Sequence, residues 1–363
     1  MRKGYGDIMT NIEKFQAVLP EYGDAALITS AENQLYLTDF PFEDGFVLIT
    51  KKNAYLVCDF RYIEDAKHAE NGWQAVLFAP GKRLATVSEL LANENCKTLA
   101  FEDGDVCVGD FELFKKALGN VEWSPLENAM TVLRECKNEE EVSRIKEAQR
   151  ITDAAFQYIL GRINPSMTET DVALELEYYM RQHGGQSAAF QTIAISGDAT
   201  SVPHGVPKPR KLQPGFLTMD FGCQYKGYKS DMTRTIVIGK ATDEMKRVYN
   251  TVLTAQSAVL QVISEGCDCM EMDKVARDII NNAGYEGCFG HGLGHGVGVL
   301  IHESPNLSPL TKNKKLAPGN VVTVEPGIYL EGKFGVRIED MVIVGNGCAE
   351  DITESPKDLI EIL

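Results

Sequence analysis

Short apolar runs separated by polar residues and glycine fill the first third of the chain. Two later segments, 87–94 and 111–120, have apolar residues at helical spacing and predict helices. Four runs are rich in strand-forming residues and predict β-strands, at residues 24–30, 34–38, 45–50 and 54–60. We therefore predict a mixed α/β unit over residues 1–130.

Beyond Lys137 the pattern changes to long amphipathic segments, and the order of elements repeats. Each copy predicts two helices followed by a strand pair. The copies cover residues 138–163, 168–185 and 216–239, and then 242–264, 270–284 and 321–345. This self-similarity indicates a duplicated helix–helix–hairpin unit, an architecture that must be recognised before the fold is assigned.

Each predicted hairpin has an acid on both of its strands. A Pro-Gly pair is followed by Thr and then by an acid two residues later, Asp220 in the first hairpin and Glu325 in the second. The partner strands begin with Asp231 and Glu339. If the first turn is centred near Tyr225-Lys226 and the second on Gly332, Asp220 lies opposite Asp231, and Glu325 opposite Glu339.

Acids that face each other across a strand pair are destabilising, because their Cβ atoms lie only about 4.5–5.5 Å apart. Their neighbours here are apolar, and a carboxylate among apolar groups needs a counter-charge, a proton or a metal ion. A single pair could be exposed edge-strand charge. Two pairs at matching positions of a duplication favour one or two divalent cations held between the hairpins.

Four of the six histidines precede these hairpins. His204 precedes the first, and His291, His295 and His302 lie in a glycine-rich segment before the second. Glycine lets the backbone approach a ligand closely. The His-X3-His spacing is that of a zinc-binding helix, but the glycines disfavour a helix and Gly292 stands where that motif requires Glu. We expect a binding loop.

Composition narrows the class of protein. The 44% hydrophobic and 24% charged residues are globular values, and no apolar run is long enough to cross a membrane. A net charge of −16 disfavours nucleic acid as a partner. Residues 1–15 lack the apolar core of a secretory signal, with Met1 and Met9 as alternative starts. Nine cysteines without a CxxC motif predict reduced thiols and a cytoplasmic location.

The segments TMDFG, SDMTRT, GHGLGHGVG-x3-HE, VEPGIY and GVRIED follow one another along the chain. In this order they resemble the pita-bread metallopeptidases, and within them the Xaa-Pro aminopeptidases and Xaa-Pro dipeptidases. The N-terminal segments ENQLYLTDF and DFRY are similar to the creatinase-type domain of that branch. The resemblance implies an α+β fold, with a duplicated pita-bread catalytic domain over residues 131–363 and a smaller α/β creatinase-type domain over 1–130.

The resemblance also implies a dinuclear metal centre. Its five ligands fall on Asp220, Asp231, His295, Glu325 and Glu339. Asp231 and Glu339 would bridge two divalent ions, His295 and Glu325 would complete one site, and Asp220 would chelate the other ion. Manganese is expected in this oxygen-rich set, with cobalt, zinc or iron as alternatives, because ligand type narrows the metal only loosely.

A hydroxide bridging the two ions would attack the scissile carbonyl, with Glu325 as the general base. By the same resemblance, His302 would hydrogen-bond the carbonyl oxygen or the tetrahedral intermediate. His204 would contact the residue after the cleaved bond or the leaving nitrogen. Arg337 and Tyr329 would orient the carboxylates.

Thr233 shares the face of Asp231 and is expected to hydrogen-bond a ligand. His291 would either line a proline pocket or have a structural role in its loop.

The predicted activity is removal of the N-terminal residue from short peptides with proline second, an Xaa-Pro aminopeptidase. A strict Xaa-Pro dipeptidase is the alternative, and a catalytically silent binding protein on the same scaffold is a third reading. Methionine aminopeptidases lack the N-terminal domain, and creatine amidinohydrolase lacks the metals. Family members are commonly homodimers, so a homodimer is expected, with no nucleic-acid or membrane partner.

Overall fold

The computed structural model describes residues 9–69 and 71–362. Residues 1–8, which include Met1 and part of the stretch examined for a secretory signal, lie outside the described residues. The chain divides into two compact units, Met1–Arg134 and Glu135–Leu363. Within the described ranges, no helix combines the length and apolar character that crossing a membrane requires.

The N-terminal unit has one six-stranded mixed sheet with the strand order β4-β3-β2-β1-β5-β6. Its strands are β1 (Ala25–Ile28), β2 (Phe46–Thr50), β3 (Ala54–Cys58), β4 (Gln74–Leu77), β5 (Thr98–Phe101) and β6 (Glu122–Pro125). Its helices are α1 (Asn11–Val18), α2 (Ala31–Thr38), α3 (Ile63–His68), α4 (Arg83–Asn93) and α5 (Val108–Ala117), and α6 (Ala129–Glu135) crosses the boundary. Two clusters of buried side chains, built largely on the central strands, form its core.

The prediction of a strand at residues 34–38 was wrong, because these residues form the second half of α2. A short apolar run spans too few residues for its periodicity to distinguish a strand from a buried helix. The Glu102 carboxylate, far along the chain, accepts the backbone N–H of Ser30 at 2.9 Å. A carboxylate at a helix N-terminus stabilises the helix, and this partner is invisible in the local sequence.

The C-terminal unit contains the duplicated elements. The first copy consists of α7 (Glu139–Leu160), α8 (Glu169–Gln182), β7 (Ser187–Ala188), β8 (Ile193–Ser196), β9 (Gly215–Phe221), β10 (Cys223–Tyr225), β11 (Tyr228–Lys229) and β12 (Met232–Ile238). The second consists of α9 (Asp243–Val262), α10 (Cys269–Ile280), β13 (Gly294–Gly296), β14 (Glu303–Leu307), β15 (Val321–Val324), β16 (Gly327–Leu330), β17 (Phe334–Arg337), β18 (Asp340–Val344) and β19 (Ala349–Asp351), with β20 (Glu361–Ile362) at the end.

Each copy buries its helix pair against its own sheet. The α7 and α8 side chains share an apolar cluster with β9 and β12, and those of α9 and α10 share one with β15 and β18. The sheets have the strand orders β20-β12-β9-β8 and β14-β13-β15-β18-β19. This architecture confirms the predicted duplication of helix, helix and hairpin.

The register of the second hairpin matches its prediction. Val324 pairs with Asp340 and Gly327 with Arg337, so Glu325 and Glu339 are opposed between these two pairs. In the first hairpin, however, Asp220 pairs with Thr233 rather than with Asp231.

The reason for the shifted register is the turn of the first hairpin. Lys226 and Gly227 are its two central residues, with φ angles of 45° and 82°. Positive φ at both positions is the signature of a type I′ turn, which suits the twist of a two-stranded ribbon. The turn is centred one residue further along the chain than the prediction assumed, so Asp231 moves two residues along the ladder. It still shares a sheet face with Asp220 because strand side chains alternate.

Candidate metal centre

One cavity of about 790 Å³ in the C-terminal unit collects the side chains that the sequence pointed to. It is lined by all five predicted ligands and by four of the other predicted site residues: Asp220, Asp231, His295, Glu325 and Glu339, with His204, His291, His302 and Arg337. The remaining two, Thr233 and Tyr329, contact these lining residues from behind. Residues from both copies of the duplication therefore converge on one site.

Three of the predicted ligands form a compact group. Asp231, His295 and Glu339 each offer one ligand atom, and these atoms all lie within 4.8 Å of one another. His295 comes from the middle of β13, whereas the two acids lie beside the hairpin strands. Two carboxylates and one imidazole at this spacing can surround a single divalent ion.

The orientation of His295 suits a metal ligand. Its Nδ1 atom lies 3.0 Å from the carbonyl oxygen of Gly296, which can only accept, so Nδ1 carries the proton. Its Nε2 atom points into the acid group, 3.3 Å from Glu325 Oε1 and 3.6 Å from Asp231 Oδ2. A hydrogen bond that fixes one ring nitrogen presents the other as a lone-pair donor, as in known metal-binding histidines.

A chain of hydrogen bonds supports Asp220. The Arg337 guanidinium donates to Asp220 Oδ2 at 2.6 Å and to the Tyr329 hydroxyl at 2.8 Å. That hydroxyl lies 2.9 Å from Nε2 of His291. Because Arg337 is buried and is itself held by Tyr329, it fixes the Asp220 carboxylate in one orientation. His291 takes part in this chain and also lines the cavity.

Two threonines hold two of the other acids. Thr233 Oγ1 donates to Glu339 Oε2 at 2.7 Å, and it also accepts from Arg337 Nε at 2.9 Å. Thr323 Oγ1 donates to Glu325 Oε1 at 3.1 Å and accepts the backbone N–H of His295 at the same distance. Thr323 is the threonine of the repeated motif, and its place two residues before Glu325, on the same strand face, is the sequence signal for this hydrogen bond.

Keeping the acids of this group ionised costs free energy. Burial raises the pKa of Asp231 and of Glu339 well above their usual values, and repulsion from neighbouring carboxylates adds to the effect. Burial also raises the pKa of Asp220, although the Arg337 charge opposes it. Only a positive charge placed among these groups would stabilise all of them as anions.

Two unsatisfied oxygen atoms test whether the residues fit a metal. Asp220 Oδ1 and Glu339 Oε1 are buried and have no hydrogen-bond partner among the described residues. A buried carboxylate oxygen without a partner costs free energy, and in native structures such atoms demand an explanation. Each of these acids has one oxygen fixed by a hydrogen bond and the other oxygen available. The donor set therefore fits metal ions.

Two histidines stand at the cavity beside the acids. The ring of His302 lies 4.3 Å from that of His295, centroid to centroid, in an edge-to-face arrangement. Loss of surrounding water, with the neighbouring His295 as the next cause, lowers the pKa of His302 and so favours its neutral form. A neutral imidazole can donate a hydrogen bond to a substrate oxygen. His204 lines the same cavity from the loop between β8 and β9.

Sequence reasoning missed a clamp on the histidine loop. Asp273 and Arg277, on α10, form an ion pair with 2.7 Å between Oδ2 and Nε. Arg277 donates to the carbonyl oxygens of Phe289 and His291, at 2.6 and 2.7 Å, and Asp273 accepts the backbone N–H of Leu293 at 2.9 Å. The spacing of Asp273 and Arg277, four residues apart on one helix, predicts an ion pair between them. It does not show that the pair binds the backbone of the histidine loop.

Comparison with known families divides the chain in two. Residues 143–346 match metallopeptidase family M24, and residues 12–136 match the creatinase/prolidase N-terminal domain. The candidate ligands all fall within the first match.

Similar proteins cover nearly the whole chain. An uncharacterised peptidase of Bacillus subtilis is 38% identical over 96% of this chain and 99% of its own length. An Xaa-Pro dipeptidase of Pyrococcus horikoshii is 34% identical over 93% and 94%. Among solved structures, an Xaa-Pro dipeptidase from Bacillus anthracis has 40% identity and a TM-score of 0.93, over 97% of this chain and 99% of that one. An X-Pro aminopeptidase from Thermotoga maritima has 33% identity and a TM-score of 0.90, over 96% and 100%.

Proposed function

Because the chain belongs to metallopeptidase family M24, we propose that it is a metal-dependent Xaa-Pro dipeptidase. The observation that carries the proposal is the convergence of four acids and His295 on one cavity, with two carboxylate oxygens left unsatisfied. The substrate class is supported by the similarity to two proteins named Xaa-Pro dipeptidase. The sequence favoured an aminopeptidase over this alternative, and the comparisons support the alternative better.

We assign the metal ligands to Asp220, Asp231, His295, Glu325 and Glu339, in the larger domain predicted to begin near residue 131. When bound, two divalent ions would polarise the scissile carbonyl and lower the pKa of a water molecule. Four carboxylates with a single imidazole favour a hard ion, and we propose Mn²⁺. The homodimeric state and the cytoplasmic location stay predictions of the sequence.

Glu325 is the proposed general base. It lies at the centre of the acid group, with His295 at 3.3 Å on one side and Thr323 at 3.1 Å on the other. It would accept the proton of the attacking water and deliver it to the nitrogen of the leaving proline. Without this proton the nitrogen would have to leave as a strongly basic amide anion, so proton delivery is required for the C–N bond to break.

His302 would donate a hydrogen bond to the carbonyl oxygen as negative charge develops there, a contact that strengthens in the transition state. His204 would contact the residue after the cleaved bond. Arg337, Tyr329 and Thr233 would hold the ligand carboxylates in place, as their hydrogen bonds indicate. For His291, its bond to Tyr329 supports the structural role rather than the proline pocket.

The second candidate is the Xaa-Pro aminopeptidase activity that the sequence favoured. It is supported by the similarity to the Thermotoga maritima structure and by a cavity of about 790 Å³, which can hold more than a dipeptide. Hydrolysis of Ala-Pro, Ala-Pro-Ala and Ala-Pro-Ala-Ala by Mn²⁺-loaded protein decides between the two. We expect kcat/KM to fall by about tenfold or more beyond the dipeptide.

Equal or higher rates on the longer peptides would replace the dipeptidase by the aminopeptidase. Ala-Ala serves as the control for proline specificity. Absence of hydrolysis of every Xaa-Pro peptide with each of Mn²⁺, Co²⁺, Zn²⁺ and Fe²⁺ would contradict both.

A further inference from the structure

An ion pair that is almost fully shielded from water lies behind the hairpin of His302. Lys137 Nζ is 3.0 Å from Glu303 Oε2, and the two side chains are only 1% and 2% exposed. Removing two charges from water commonly costs more than their attraction returns, so such a pair is weak evidence for stability. Its place in the fold calls for a different explanation.

The Glu303 carboxylate fills the inside of a tight hairpin. Glu303 follows His302 directly and pairs with Gly296, the residue after the histidine ligand. Its Oε1 atom accepts the backbone N–H of Leu300 at 3.0 Å. A side chain at Gly298 would bring Cβ to 2.5 Å from Oε2, so the chain closes around the carboxylate. The turn that presents His302 is thus shaped by Glu303.

Lys137 joins this hairpin to the one that carries Glu325. Its backbone N–H donates to the carbonyl oxygen of Gly319 at 2.8 Å, in the Pro-Gly turn that precedes β15. Gly319 has a φ of 87°, and a Cβ there would lie 2.8 Å from the Lys137 carbonyl oxygen. The backbone of Lys137 is therefore pressed against one hairpin while its ammonium group is paired inside the other.

We propose that Lys137 and Glu303 are positioning residues that set the place of His302 relative to Glu325. The inference rests on the proposed function, because the alignment matters only if both groups act on one scissile bond. Catalytic groups lose effectiveness steeply with misplacement, and a shift of about 1 Å can cost about a hundredfold in rate. Lys137 can hold the Glu303 carboxylate in one place because its own backbone is fixed by the hydrogen bond to Gly319.

Two variants separate positioning from stability. Lys137→Met removes the ammonium group that pairs with the buried Glu303 carboxylate, which is expected to destabilise the fold. The double variant Lys137→Met/Glu303→Leu replaces both charges by apolar groups of similar size, which commonly restores stability. If the pair positions His302, the double variant regains its melting temperature while kcat stays lower by about tenfold or more, with KM changed by less than about twofold.

A second readout needs no turnover. The protein is labelled with ¹³C-histidine and loaded with Zn²⁺, which is diamagnetic, in place of Mn²⁺. NMR then records the Cε1–H signals of its six histidines. We expect the His302 signal, assigned with His302→Ala, to shift or broaden in both variants. Lys146→Met is the matched control, since Lys146 pairs with Glu350 at 2.7 Å on the exposed face of α7. It should leave the kinetics and the His302 signal unchanged.

Each result has one meaning. Recovery of kcat together with stability in the double variant, or an unchanged His302 signal, would overturn the proposal. A double variant that does not fold would also overturn it, because the pair would then be required for the fold itself. If wild-type protein hydrolyses no Xaa-Pro peptide, the proposed function fails, and the NMR comparison still decides whether the pair positions His302.

Discussion

At the scale of single residues, the unusual feature is a set of three acids, Asp220, Asp231 and Glu339, whose surroundings raise their pKa values and so oppose their ionisation. Asp231 and Glu339 have pKa values raised by burial, and Glu339 has one oxygen bonded to Thr233 while the other is unsatisfied. Stability alone would select against this arrangement. A cation bound between these acids would account for it, as would the chemistry that the cation supports.

Glu325→Gln tests the proposed general base. The amide keeps the size of the side chain, but it cannot accept the proton of the attacking water and is a weaker metal ligand than a carboxylate. We therefore expect kcat on Ala-Pro to fall by about 10²- to 10⁴-fold, also when the protein is saturated with Mn²⁺. Circular dichroism and the melting temperature should change little. Glu331→Gln, on the exposed turn between β16 and β17, is the matched control. A Glu325 variant with near-wild-type turnover would show that another group takes the proton.

His302→Ala tests whether His302 is a catalytic residue or a metal ligand. Because His302 contacts His295 by ring packing and is not one of the five assigned ligands, its loss should lower kcat by about 10²-fold or more and leave the bound metal in place. Metal content is measured by mass spectrometry of the purified protein beside the kinetics. His183→Ala, at the exposed end of α8, is the control. Loss of one metal ion from the His302 variant would make this histidine a ligand.

At the scale of elements, the two hairpins are held by a buried network beside the site. The Arg234 guanidinium is 1% exposed and lies 2.7 Å from Asp340 Oδ1. It also donates to the backbone carbonyl oxygens of Thr233 and Glu339, at 3.0 and 2.5 Å. Asp340 accepts further bonds from Gln256 and Lys357. One arginine from β12 thereby fixes the backbone of the neighbouring hairpin.

Asp340→Asn should therefore be strongly destabilising. The amide leaves the buried Arg234 without its counter-charge, and breaking a buried pair from one side costs about 3–5 kcal/mol. The free energy of unfolding in urea measures the loss. Asp278→Asn, in an exposed pair with Lys274 on α10, should change it by less than about 1 kcal/mol. Similar effects of the two substitutions would mean that the Arg234 network does not hold the hairpins together.

Many of the helices and strands could be predicted from the sequence, and the predictions that were wrong have physical causes. The long helices and the second hairpin follow from periodicity and from a turn centred on Gly332. The first hairpin differs because Lys226 adopts a positive φ of 45°, which a non-glycine residue seldom does. The roles of Glu303 and Arg277 could not be predicted, because their partners are brought near only by tertiary packing.

At the scale of the whole molecule, the duplication explains how a single chain builds the centre. Each copy contributes two acids from a hairpin and at least one histidine from the preceding loop, and the paired helices form the core behind each sheet. The family match and the similar structures cover both copies. The proposed ligands and the groups that orient them come from both copies. Arg337, Tyr329 and Thr233 were indicated by the sequence, whereas the contacts of Thr323 and of the Asp273–Arg277 pair needed the structure.

The central claim is that five side chains hold two divalent ions. Purified protein is stripped with EDTA, titrated with Mn²⁺ by isothermal calorimetry, and analysed for bound metal by mass spectrometry after removal of free ions. We expect two ions per chain in the wild type, and Xaa-Pro hydrolysis should return as the ions bind. Weaker binding is expected in Glu339→Gln, which changes an acid with an unsatisfied oxygen. A wild-type chain that binds no Mn²⁺, or hydrolyses Ala-Pro equally well without metal, would contradict the account.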